Sequence, residues 1–191
     1  MSNIVIVYFS GYGHTARQAE AVYEGCLSVE GTRIELHRIN DSGEISDKLM
    51  LDIEHADAII YGSPTYMGGP AWQFKKFADA SSKPWVAQKW KDKIAAGFTN
   101  SASVNGDKYS TIQYMWTLSQ QHGQIWVGTG LLPANTQSNG PEDINWTGGF
   151  GGAMAISPAD ATPEEAPRSG DLKTAHHLGK RVAEMCQRFS G

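Results

Sequence analysis

Cysteine occurs only twice in the chain, as Cys26 and Cys186, with no Cys-x-x-Cys pair and no metal-ligand spacing. A disulfide framework is excluded, and both thiols are expected as buried side chains of helices. No stretch approaches the roughly 18 apolar residues of a membrane span. Met1–Phe9 has no basic residues ahead of its apolar run, which is also too short for a secretion signal. Charge is sparse, at 19% of residues against about 25% in an average protein. Lys and Arg number 16 against 20 Asp and Glu, a net charge of -4. The basic stripe of a nucleic-acid binder is missing, and the acidity is too mild to imply a cationic partner. What is present is a 40% hydrophobic content over 191 residues. That suits a single domain, residues 1–191, burying about 70% of its unfolded surface, and it excludes disorder and collagen. The expectation is a soluble, reduced, cytoplasmic protein.

Strand-like and helix-like runs alternate. Asn3–Phe9 is a β-branched apolar run dense enough for a strand buried on both faces. A helix over Thr15–Leu27, opening at His14 or Thr15, places Ala16, Ala19, Val22, Tyr23 and Cys26 at helical spacing. The pattern continues with a strand at Thr32–Ile39, a helix at Asp47–His55 and a strand at Asp57–Ser63. A helix at Pro70–Ala80 would use Pro70 as its first residue, where a missing N–H costs nothing. A strand at Lys93–Thr99 follows, then a helix at Tyr109–His122 stopped by Gly123. The last elements are a strand at Gln124–Gly128 and an amphipathic helix at Asp171–Phe189. Strands separated by helices predict a parallel sheet covered on both faces. Thr129–Gly152 is a loop longer than structureless loops usually are, which points to function or an interface. Ala159–Gly170 reads as a solvated, acidic, Pro-containing loop.

In an open parallel sheet, ligands sit beyond the carboxyl ends of the strands. The loop after the first strand, Ser10-Gly11-Tyr12-Gly13-His14-Thr15, leads into a helix, and such a junction binds anions through free backbone N–H groups. It contains no Lys or Arg, so a phosphate would be held by neutral donors, including the hydroxyls of Ser10 and Thr15. A Walker A loop is excluded because Gly-Lys-Ser/Thr is missing. Gly11-x-Gly13-x-x-Ala16 matches the loose dinucleotide pattern, but the second strand ends Leu36-His37-Arg38-Ile39 without the acid that pattern wants. An ordinary Gly-rich turn remains open for this loop alone. The loop after the third strand, Ser63 to Pro70, offers Thr65, Tyr66 and Met67, a hydroxyl, a ring and a thioether suited to a planar heteroaromatic ligand. The loop after the fourth, Asn100-Ser101-Ala102-Ser103-Val104-Asn105-Gly106, is small and polar. Together the three describe a mononucleotide site.

Tyr8-Phe9-Ser10-Gly11-Tyr12-Gly13-His14-Thr15 and Ser63-Pro64-Thr65-Tyr66-Met67-Gly68 resemble flavodoxin-like proteins, and among them the WrbA-type NAD(P)H:quinone oxidoreductases. The likeness covers almost the whole chain, including Gln73–Phe77, Trp85, His122-Gly123 and Gly148–Ala153. It implies an α/β, flavodoxin-like three-layer sandwich: a five-stranded parallel sheet of order 2-1-3-4-5 with helices on both faces. It implies FMN as cofactor, NADH or NADPH and a quinone as substrates, and a homo-oligomer, dimer or tetramer. Carried over by residue, Ser10, Tyr12, Gly13, His14 and Thr15 would hold the phosphate, and Pro64, Thr65, Tyr66 and Met67 would line the flavin ring. Asn100, Ser101, Ala102, Ser103, Val104, Asn105 and Gly106 would embrace its other side. Tyr12, Trp85 and His122 would meet the substrates. The chain departs from the family in having Thr65-Tyr66-Met67 for the usual Thr-Arg-Phe, and Gln121-His122-Gly123 for His-His-Gly.

No side chain is assigned as a dedicated acid or base, because in such a site the cofactor carries the redox chemistry. A one-electron flavodoxin-type carrier and an FMN-binding regulatory protein are the alternatives; a net charge of -4 is weak for a carrier's acidic face. His176 and His177 are adjacent on a helix and face apart, and His37 and His55 stand alone, so no metal site is expected. Of six tryptophans, Trp116 and Trp126 are expected in the core, and Trp85, Trp90 and Trp146 in loops that meet another subunit.

Overall fold

The computed structural model describes residues 1–189. Its parallel strands are β1 (Ser2–Tyr8), β2 (Thr32–Arg38), β3 (Ala58–Tyr66), β5 (Ile94–Ser101), β6 (Ile125–Trp126) and β7 (Ala153–Ile156). A two-residue β4 (Gly69–Pro70) pairs antiparallel with the end of β3. The helices are α1 (His14–Leu27), α2 (Asp47–His55), α3 (Trp72–Ala80), α4 (Ser82–Val86), α5 (Lys108–Gln121) and α6 (Ser169–Phe189). The sheet order is β2-β1-β3-β5-β6, with β7 also on β5. The expected order 2-1-3-4-5 is therefore present, but its fifth position is shared by two short strands. β6 pairs with the start of β5 and β7 with its end. The 129–152 excursion separates them.

Strand periodicity divides the core in two. Ile4, Ile6 and Tyr8 of β1 face α1 and α6, whereas Val5 and Val7 face α2, α3 and α5. On the first side α1 and α6 touch backbone to backbone. A Cβ on Gly25 would lie 1.9 Å from the carbonyl oxygen of His176, and one on Gly179 would lie 2.0 Å from that of Val22. On the second side Phe74, Phe77, Tyr61 and Trp90 form an aromatic cluster, with Trp90 stacked on His122 at 4.3 Å. The cysteines are buried as expected, Cys26 donating from Sγ to the Gly179 carbonyl.

Several boundaries move for physical reasons. Pro70 does not open α3. It pairs with Thr65 in the short hairpin, and Ala71 precedes the helix. The hairpin turn is Met67-Gly68, both with positive φ, the geometry that a tight two-residue connection requires. Among the tryptophans, Trp90 is fully buried within its own chain, so it forms no interface, and Trp116 is exposed rather than core. Trp126 and Trp146 are half-buried. Helix α2 is capped by Ser46, whose Oγ accepts from the Leu49 N–H at 3.2 Å. Ser46→Ala is expected to cost about 1 kcal/mol of stability, measured as a lower urea midpoint with unchanged slope.

Candidate functional site

Connecting helices run antiparallel to the strands, so the carboxyl edge of the sheet collects the loops after β1, β3 and β5. There lies a cavity of about 520 Å³ lined by Tyr12, His14, Thr15, Pro64, Thr65, Tyr66, Asn100, Ser101 and Ala102. Its size is that of a small-ligand site, which runs to roughly 300–1,000 Å³. The three loops chosen from the sequence thus meet around one space.

The β1 loop is ordered from within. Ser10 is buried, and its Oγ accepts from the N–H groups of Gly13 and Ala16 at 3.2 and 3.1 Å. That hydroxyl caps α1 while the first-turn amides of His14 and Thr15 have no carbonyl four residues back in the helix to receive them. Gly13 sits at φ 92°, where a side chain is strained, and a Cβ there would lie 2.5 Å from Pro163 Cγ. A cation does stand behind the loop: Arg38 at the end of β2 donates to the Ser10 carbonyl and to Asp41, both at 3.1 Å. Tyr12 is largely exposed and meets Tyr66 edge-on at 6.3 Å between ring centroids. Burial raises the Tyr66 hydroxyl above its ordinary pKa, with Tyr12 adding to the shift, so Tyr66 is a neutral phenol at neutral pH.

The floor is a chain of hydroxyls. Thr65 Oγ1 lies 2.9 Å from Thr99 Oγ1 and 2.8 Å from Thr111 Oγ1, tying β3 to β5 and α5. Asn100 donates from Nδ2 to Ser157 Oγ at 2.8 Å. The fourth wall is Ser157, Pro158, Ala159 and Ala161. The 159–170 loop is therefore more than a solvated acidic run. Its Glu164 and Glu165 are exposed, but its small and apolar residues close the site, and the Ala166 carbonyl lies 3.0 Å from His14 Nδ1.

Other residues expected at the site lie elsewhere. Met67 is fully exposed on the hairpin turn, and Ser103, Val104 and Asn105 are exposed beyond the cavity wall. Gly106 turns the loop at φ 53°. His122 and Trp85 are at the opposite edge of the sheet. His122 ends α5, and the next strand begins at Ile125 beside Ile94, the first residue of β5. The cavity meets β5 at its other end, Ser101, roughly 20 Å away at about 3.3 Å per residue. His122 is buried against Trp90 and hydrogen-bonds Ser81 through Nε2 at 2.8 Å. Burial pushes its pKa down to about 4. It is a neutral core histidine and not a substrate contact of its own chain. Trp85 follows Ser81 on α4 and is half-exposed at that same far edge. His37 is not alone either. Its Nε2 lies 2.8 Å from Asp52, which also binds Lys48, with Glu35 nearby; among the described residues these three His and acid side chains are the group close enough to share a cation. No helix of the described residues is long and apolar enough to cross a membrane.

Residues 14–137 match the family model of NADPH-dependent FMN reductases. The chain belongs to that family. Its relatives extend the match over the full length. It is 47% identical over 189 residues to flavodoxin FldP of Pseudomonas aeruginosa, covering 99% of each chain. It is 32% identical over 207 residues to an NAD(P)H dehydrogenase (quinone) of Geobacter sulfurreducens, covering 99% of this chain and all of the relative. The solved structure of a WrbA-like flavodoxin from Agrobacterium tumefaciens superposes with a TM-score of 0.79 at 47% identity, covering 98% and 99% of the two chains. The protein is a WrbA-type, flavodoxin-like oxidoreductase, and its cofactor is FMN. The donor set fits that group, offering one helix start with hydroxyls and a mixed polar and aromatic cavity beside it.

The sequence signals for the fourth wall and for β7 were present but faint. Ala153-Met-Ala-Ile-Ser157 is a short apolar run after a glycine cluster, with no helix between it and β6 to announce a new strand.

Proposed function

We propose that this protein is an FMN-dependent oxidoreductase that passes two electrons from NADH or NADPH to a quinone. The observation that carries the reading is the cavity at the carboxyl edge, which has one phosphate-type loop and has Tyr12, Tyr66 and Asn100–Ala102 among its walls. Quinone-reducing relatives at about 30% identity support the acceptor.

Bound FMN would supply the relay, taking a hydride from the nicotinamide and later yielding it, with a proton from water, to the quinone. The chain's residues bind and orient. Ser10, Tyr12, Gly13, His14 and Thr15 receive the phosphate. Pro64, Thr65 and Tyr66 line one side of the ring. Asn100, Ser101 and Ala102 line the other side, and the rest of that loop, through Gly106, shapes it. Tyr12 covers the open face where nicotinamide and quinone alternate. Trp85 could reach such a cavity only from a second copy of the chain, and the exposed Tyr109, Trp116 and Phe150 along α5 and the split strand give a homo-oligomer an apolar surface to bury.

Two expected results follow from one cavity and one phosphate loop. FMN binds more tightly than FAD, and NAD(P)H oxidation with benzoquinone gives parallel double-reciprocal lines, since the two substrates exclude each other. Tighter FAD binding, or intersecting lines, would overturn the assignment. The name of the Pseudomonas relative favours a second reading, an electron carrier. In that case the protein binds FMN, but NADH and NADPH do not reduce it directly at a useful rate.

A further inference from the structure

Lys108, the first residue of α5, is buried to 2% exposure. Its ammonium spends its three protons on one loop: Ser101 Oγ at 2.9 Å, the Ser103 carbonyl at 2.7 Å and the Val104 carbonyl at 2.8 Å. The loop folds around it. Gly106 is needed there, since a Cβ would lie 2.1 Å from Ser101 Oγ. The Ser103 and Val104 carbonyls are turned to the ammonium, while Ser101, its third partner, lines the cavity with Ala102.

None of the three acceptors carries a charge. Lys108 also stands at the start of a helix, where the dipole disfavours a cation. The charged group acting on it is Asp171 of α6, whose Oδ2 accepts from the Ile156 N–H and whose Oδ1 is buried without a partner among the described residues. Burial holds the Lys108 pKa down at about 8 and the Asp171 pKa up at about 6, so neither group fully compensates the other. A buried cation held by neutral acceptors is costly unless something else in the molecule answers its charge. The open space one hydrogen bond away is the cavity.

We propose that Lys108 is a positioning residue for the flavin ring: it sets the 101–106 loop and keeps a positive charge directly behind the cavity wall, so that the site holds reduced FMN more tightly than oxidised FMN. The proposal rests on the FMN reading of the site. Its chemistry balances simply. A hydride brings two electrons and one proton to a neutral ring, which then carries one negative charge, and the ammonium favours that charged form.

The test is the midpoint potential of bound flavin, with FMN and with riboflavin, in the unmodified protein and in Lys108→Gln, Lys108→Met and Asp171→Asn. Gln keeps amide donors for the loop without the charge, so it reads the charge if the Met variant does not fold. The Lys108 variants are expected to lose about tenfold in affinity for reduced over oxidised flavin, a fall of about 30 mV for a two-electron couple. Riboflavin should show the same fall, because the effect is on the ring. Asp171→Asn, which removes the opposing charge, should move the potential the other way. An unchanged potential in Lys108→Gln overturns the proposal. So does a shift of the same sign in the Lys108 and Asp171 variants, or a loss seen with FMN and not with riboflavin. If the unmodified protein binds no flavin, the FMN reading falls as well; normal FMN binding with an unmoved potential removes the Lys108 role alone.

Discussion

Removing the hydroxyls of Ser10 and Thr15 together is expected to weaken FMN binding about a hundredfold while leaving riboflavin affinity nearly unchanged. Thr15 lines the cavity at the first turn of α1. Ser10 lies beneath it and fixes the Gly13 and Ala16 amides, so its loss disorders the donors that surround the anion. A hydrogen bond to a charged acceptor contributes about 1.5–3 kcal/mol. One such loss at Thr15 and a comparable one from the disordered amides above Ser10 give about 3 kcal/mol, and each 1.4 kcal/mol is tenfold in affinity. The readout is fluorescence quenching on titration of the flavin-free double variant. Undiminished FMN affinity would remove the phosphate from this loop, and an equal loss for riboflavin would assign the loop to the ring.

The largest stability effect is expected at a glycine far from any ligand. Gly179→Val should lower stability by about 3 kcal/mol or more, since overpacking a close-packed interior costs about 1–3 kcal/mol even where neighbours can yield. Here the obstructing atom is the backbone oxygen of Val22, 2.0 Å from the new Cβ, and Gly25 meets His176 on the same crossing at 1.9 Å. Two helix backbones would have to separate, opening the core of Val22, Cys26, Leu178 and Val182. For a chain of this size about 3 kcal/mol lowers Tm by roughly 6–12 °C, read by far-ultraviolet circular dichroism. A Tm within a degree of the unmodified protein would show that the crossing is looser than the backbone contact implies.

How far the sequence disclosed all this depended on which forces act locally. Dense β-branched runs such as Ile4–Val7 and Ala58–Tyr61 are fully buried strands, and the glycine-rich turn after the first leads into α1, because backbone sterics and burial act over a few residues. The three site loops were legible for the same reason. What escaped depended on tertiary pairing. Pro70 has a helix-start signature, yet the hairpin with Thr65 claims it. Trp90 lies in the connection between α4 and β5 but closes the aromatic cluster over His122. His122 and Trp85 were carried to the cavity by resemblance, and the direction of α3 and α5 takes them to the other edge. Lys108 carries no local signal of its burial, because nothing in the neighbouring sequence shows that its own preceding loop will wrap it.

The split fifth strand has a consequence for how this chain can be cut and rejoined. Trp126 stands opposite Ala95, and Ala153 stands opposite Phe98. The pairing with β6 ends at Ala95, and a Cβ on Gly152 would lie 2.4 Å from the Gly97 carbonyl oxygen, so the approach to β7 already covers Gly97. Pairing along β5 therefore passes from one short strand to the other between Ala95 and Gly97. Residues 129–152 leave the sheet there but stay tied to the fold: Thr129 and Asn145 are fully buried, and the Asn145 N–H donates to Thr174 Oγ1 of α6 at 2.7 Å. A replacement for the excursion therefore has to keep its anchors on α6 at Thr129 and Asn145, while the register that places Ser157 beside Asn100 is carried by β5.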